Sequence, residues 1–156
     1  MKDFDIKVPN NCKVTLFGTD NGTIVVPASV IFDSDRGQAD IEIKDVTEVE
    51  IGIPKESEHI EINLACSSLT LRNLAYERIE IDCRESAQID IEDAAGAMDI
   101  NILNGQATLK VPAGYEFTTR NEGRNTSLEY NIPTTDNSRN VIELNGKNSV
   151  LNIVNR

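Results

Sequence analysis

Tryptophan is absent from the 156 residues, aromatic side chains make up 4%, and His59 is the single histidine. Stacking platforms for bases or sugar rings are therefore scarce, and a hydrolytic triad would have to be assembled around one imidazole. No serine or cysteine is fixed beside His59 by a recognisable motif, and G-x-S-x-G, G-x-x-x-x-G-K-[ST] and H-E-x-x-H are all missing. We read His59 as an inert residue in an exposed turn, and no cofactor is implied. The three cysteines, Cys12, Cys66 and Cys83, are an odd count without C-x-x-C spacing. That argues against a zinc knuckle or a disulfide framework and predicts buried thiols.

Positive charge is also short: 15 Lys and Arg stand against 26 Asp and Glu, a formal net charge of -11. Such a surface repels polyanions, which removes nucleic acid and anionic membranes from the partners expected. Long apolar runs are missing, the stretch from Thr23 to Phe32 being interrupted by Pro27 and Ser29, so no membrane insertion is expected. The opening MKDFDIKVPNN has no apolar signal-peptide core. As written, the chain reads as soluble and cytoplasmic, with the cell surface as the alternative if a leader has been removed.

What the sequence does contain is a repeat. Apolar pairs one residue apart recur at Ile41/Ile43, Val49/Ile51, Ile60/Ile62, Leu69/Leu71, Ile79/Ile81, Ile89/Ile91, Ile100/Ile102 and Leu109/Val111. Their first residues advance by 8, 11, 9, 10, 10, 11 and 9. Each pair is a minimal period-two strand signal. Two short strands per coil of about 19–21 residues, stacked as an all-β solenoid or β-helix, is the simplest reading. An antiparallel sandwich or jelly roll would also supply short alternating strands, but with longer strands and less even spacing. Gly96, Gly105, Gly114 and Gly123 fall nine apart and suit the corners, while Asp20-Asn21-Gly22 and Asn145-Gly146 signal tight turns that could make hairpin caps. The expected organisation is one domain over 1–156: less regular coils or a cap over 1–38, regular coils over 39–132, and a final coil or cap over 133–156.

The stretch INILNGQATLKVPAGYEFTTRNEGRNTSLEYNI, Ile100 to Ile132, resembles the bacterial putative-adhesin domain, a family of unknown function also called toastrack. The turn Val111-Pro112-Ala113-Gly114-Tyr115-Glu116-Phe117 is similar to that family's VP-x-G/D-x-x-F turn. NVIELNGKNSVLNIVN, Asn140 to Asn155, looks like its closing coil. The resemblance covers Ala39 to the C-terminus. It implies a single-stranded right-handed β-solenoid and carries no catalytic residues to transfer.

If the coils stack in register, the outward acids Glu42, Glu61 and Glu80 form one ladder, and Glu50, Thr70, Asp90 and Lys110 another. Like charges directly opposite are mildly unfavourable, so the ladder reads first as a solvated face that discourages aggregation. Divalent-cation binding and a paired-carboxylate glycosidase are the chemical alternatives. The acidic segment Asp33 to Asp40 opens like a calcium loop, but its twelfth position is Lys44 where a bidentate Glu belongs. The function expected is a non-catalytic structural or interaction protein presenting a rigid acidic surface to an unknown protein or glycan, with self-association through the solenoid ends. The alternative is a carbohydrate or divalent-cation binder, or a carbohydrate-active enzyme, using the ladder.

Overall fold

The computed structural model describes residues 3–156. It is all-β, and no helix is present among the described residues. The strands are β1 (Asp3–Lys7), β2 (Lys13–Thr19), β3 (Ile31–Asp35), β4 (Gln38–Glu42), β5 (Glu48–Pro54) and β6 (Glu56–Arg72), followed by β7 (Leu74–Ile91), β8 (Ala94–Val111), β9 (Thr118–Asn121), β10 (Arg124–Tyr130) and β11 (Val141–Asn155). All eleven belong to one open, mixed sheet. Every pairing is parallel except the β3–β4 hairpin. That hairpin turns through Arg36 and Gly37, both with positive φ.

The repeat is realised as registered aliphatic columns. Ile60 pairs with Ile79, Ile79 with Met98 and Met98 with Ile142, while Ile62, Ile81, Ile100 and Leu144 form the next column. Nearly all are fully buried and belong to one core cluster. Each such side chain contributes about 1.5–3 kcal/mol of burial. From β6 onward the sequence pairs therefore stack as expected, with one slip: Ile79 lies against Met98, and Ile100 falls two residues further along.

Pairs expected as separate short strands are continuous ones. β6, β7 and β8 run 17, 18 and 18 residues, each bent midway by a residue in the left-handed region: Cys66, Glu85 and Asn104. Asn148 and Asn125 take the same role in β11 and β10. In β6 the inward set is Ile60, Ile62 and Leu64, then Ser67, Leu69 and Leu71, so one left-handed residue shifts the alternation by one and both halves still face the core. Asparagine is the side chain that tolerates this conformation best after glycine. The corner asparagines also link through their amides, Asn125 Nδ2 donating to Asn148 Oδ1 at 2.8 Å and Asn148 Nδ2 to Asn104 Oδ1 at 3.1 Å.

The layers are not stacked in sequence order. β1 lies between β4 and β6, and β2 between β5 and β6. At the other end β11 lies between β8 and the β9–β10 layer. The first and last strands are thus interior layers. Passing from β5 to β6, the chain must step across the end of β2, where Lys55 N donates to Thr19 O at 3.1 Å. Gly18 permits that crossing, since a Cβ there would sit 1.8 Å from Asn73 O and 2.7 Å from Lys55 Cβ.

Several expectations are corrected. Asn145-Gly146 makes no turn but lies inside β11. His59 is half-buried within β6, opposite Asp3 and Arg78, and not in an exposed turn. Cys12 and Cys83 are buried, but Cys66 is half-exposed at its corner, its thiol donating to Glu85 Oε2 at 2.9 Å. Of the four glycines expected at corners, Gly123 has no positive φ, and neither does Gly105. It is required by contact instead, because a Cβ would lie 1.9 Å from Glu85 O.

Candidate functional site

The inserted β1 rearranges the expected ladder. Glu42 pairs with Lys7, and Asp5 takes the place beside Glu61. The column that forms runs Asp33, Asp40, Asp5, Glu61, Glu80, Asp99 and Glu143, and ends on Arg120. Seven carboxylates therefore project from adjacent strands spaced about 4.8 Å apart. Glu42 belongs to the neighbouring column of Lys7, Asn63, Asp82, Asn101 and Asn145. The second expected ladder is interrupted in the same way: Thr15 stands between Glu50 and Thr70, while Thr70, Asp90 and Lys110 follow as expected.

Among the described residues, cations compensate the column only toward its β11 end. Arg78 pairs with Asp99 at 2.5 Å, and Arg120 with Glu143 at 3.6 Å. Asn145 Nδ2 donates to both Asp99 Oδ1 and Glu143 Oε2, so the most buried acid of the column, Asp99, is held from two sides. Among the described residues neither Glu61 nor Glu80 has an ion-pair partner within 4.0 Å. Carboxylate oxygens of Glu61, Glu80 and Asp82 lie within 4.8 Å of one another. Partial burial, then the charges of Asp5, Glu80 and Asp82, push the Glu61 carboxyl above its usual range. Asp82 is raised chiefly by burial as well, against a hydrogen bond from Asn101 that lowers it.

These groups can attract a cation or a basic partner, but three single oxygens are well short of the six to eight that calcium takes. Among the described residues no serine or cysteine pairs with the histidine: His59 faces Asp3 and Arg78 across the strands, and the Cys66 thiol donates to Glu85. Asp99 and Glu143 escaped the sequence reading although their signal is present, in Met98-Asp99-Ile100 and Ile142-Glu143-Leu144, which repeat the apolar-acid-apolar wording of Ile60-Glu61-Ile62. Asp5 carries the same wording in Phe4-Asp5-Ile6, but its place beside Glu61 follows from where β1 inserts, which that wording does not show. No helix among the described residues is long and apolar enough to cross a membrane.

No protein-family model matches the chain, and no curated protein matches it. The chain is similar to two solved structures. One is a putative cell adhesion protein from Clostridium sporogenes ATCC 15579, 11% identical, with a TM-score of 0.51 over 99% of this chain and 92% of that one. The other is a putative adhesin from Bacteroides fragilis NCTC 9343, also 11% identical, with a TM-score of 0.38 over the same shares of the two chains. The first likeness is one of fold, and nothing is argued from the second.

Proposed function

We propose that the chain is a non-catalytic interaction protein of the adhesin type, a single β-solenoid domain over 1–156 that presents a rigid acidic face to a protein or glycan partner. The observation that carries this is the registered carboxylate column from Asp40 to Glu143, fixed on strands whose opposite faces are packed into the core. A face built on continuous parallel strands is pre-organised, which lowers the ordering cost of binding. The fold likeness to a putative cell adhesion protein supports the same reading. The right-handed single-stranded winding is proposed from the family resemblance.

The test is capture by the immobilised chain, from glycan arrays and from bacterial extracts, against a Glu61→Lys/Glu80→Lys control. A partner retained by the wild type and lost by the control is expected. Hydrolysis of any polysaccharide that is abolished by Glu61→Gln would overturn the non-catalytic reading. A second reading, cation binding, is favoured by the proximity of Glu61, Glu80 and Asp82, and calcium titration separates the two.

A further inference from the structure

The sheet has an incompletely covered margin at β5. This strand pairs with β2 alone. Lys13 N donates to Thr47 O at 2.9 Å, which sets the alternation: Val49 and Ile51 turn their backbone groups toward β2, while Glu48, Glu50 and Gly52 turn theirs outward. At Gly52 the outward groups are satisfied by Val25, with Val25 N donating to Gly52 O at 2.9 Å and Gly52 N to Val25 O at 2.8 Å. Antiparallel pairing would next set Pro27 against Glu50. Pro27 has no N–H to give, and its carbonyl already accepts from Val30 N at 3.1 Å. The cover therefore stops after one rung, and the outward amides and carbonyls of Glu48 and Glu50 have no strand partner among the described residues.

A groove of about 470 Å3 lies along this free stretch, lined by Val25, Val26, Pro27 and Val46 together with Glu48–Glu50. Val25 is 45% exposed there. Neither Glu48 nor Glu50 has an ion-pair partner within 4.0 Å among the described residues, and the nearby Arg72 is engaged bidentately by Glu92. The margin thus combines unmet backbone hydrogen bonds, an apolar seat beside Val49 and two uncompensated acids on the solvent side.

We propose that an extended basic segment of a partner adds to β5 along Glu48–Glu50, with Lys or Arg opposite each glutamate and an aliphatic residue between them opposite Val49. Backbone bonds supply affinity and the alternate side chains supply selection. A second copy of this same margin is repelled, since glutamates would face glutamates. The proposal rests on the interaction-protein reading in taking the chain as a binder, but it uses a different surface from the carboxylate column.

The test is an NMR titration of the labelled full chain with an acetylated, amidated Lys-Val-Lys-Val-Lys peptide. Saturable shifts of the Glu48, Val49 and Glu50 amides are expected. The affinity is expected to fall about tenfold when alternate peptide nitrogens are methylated or when the chain carries Glu48→Lys/Glu50→Lys, because backbone bonds and charge pairs are then lost. Glu48→Gln/Glu50→Gln serves if the reversed chain misfolds. Glu61→Lys/Glu80→Lys is expected to leave this binding unchanged, so failure of the acidic-face reading is read separately. Equal binding of the methylated peptide, shifts that follow Glu61 and Glu80 instead, or no shift at millimolar peptide would overturn the proposal.

Discussion

Glu61→Gln is expected to stabilise the fold. Glu61 stands directly opposite Asp5 on one side and Glu80 on the other, with Asp82 close by and no compensating ion pair among the described residues. Like charges opposed across strands cost about 0.2–1 kcal/mol each. Because Glu61 is only partly buried, solvent screening holds the two direct pairs to the lower part of that range, about 0.5–1 kcal/mol together. For a chain of this size 1 kcal/mol corresponds to roughly 2–4 °C in Tm, so a rise of about 1–4 °C is expected in thermal melts at low salt and neutral pH. Glu80→Gln tests the cause, since the double variant should gain less than the sum of the singles when both remove one shared repulsion. The pH dependence fixes the sign. The folded-state carboxyls of Glu61 and Asp82 are raised, so the native state holds their protons more tightly than the unfolded chain. Their penalty is full above the raised values and absent below the ordinary carboxylate range, so it is relieved as pH falls through the raised values into that range. Glu92, lowered by Arg72, contributes the opposite dependence, lost only at lower pH. Glu61→Gln should therefore gain most near pH 7 and lose its advantage near pH 4. A fall in Tm at neutral pH, or additive singles with no coupling, would refute the reasoning.

Gly105→Ala should destabilise by about 3 kcal/mol or prevent folding, because its Cβ would meet Glu85 O at 1.9 Å and backbone cannot step aside cheaply; urea melts measure it. Glu85→Asn should stabilise by up to about 1 kcal/mol, by placing at a left-handed corner the residue already used at 104, 125 and 148, less whatever is lost with the Cys66 thiol bond. Arg78→Ala should cost about 1–2 kcal/mol by leaving the largely buried Asp99 held only by Asn145 among the described residues, as urea melts would show. Millimolar calcium should move Tm by less than about 1 °C, three oxygens being too few for tight binding; a rise of several degrees would favour the cation reading.

The column positions were legible in sequence because the core imposes them. An aliphatic residue every second position, returning after 19, can only be buried by stacking on itself, and Ile60 does lie on Ile79. The corners were expected at glycines and fall elsewhere: asparagines at 104, 125 and 148 carry a left-handed signal that the glycine spacing hid, whereas Cys66 and Glu85 adopt that conformation without any local signal. The order of the layers left no mark at all. β1 presents Phe4 and Ile6 inward like any other strand, and nothing in that wording distinguishes a place beside β6 from a place at the margin. Because a ladder is defined by neighbours, one inserted strand was enough to replace Glu42 by Asp5 in the candidate site.

That insertion bears on how the chain can be made and cut. In a repeat stack laid down in order, each new coil could settle on the last as it left the ribosome, and trimming an end would remove one coil and leave the rest intact. Here β1 and β2 must wait for β4, β5 and β6 before both their flanks are filled, and the β9–β10 layer has nothing to rest on until β11 arrives. A protease that nicked away β11 would therefore dislodge two layers for the loss of one, so the assembly is locked from both ends and comes apart as a unit.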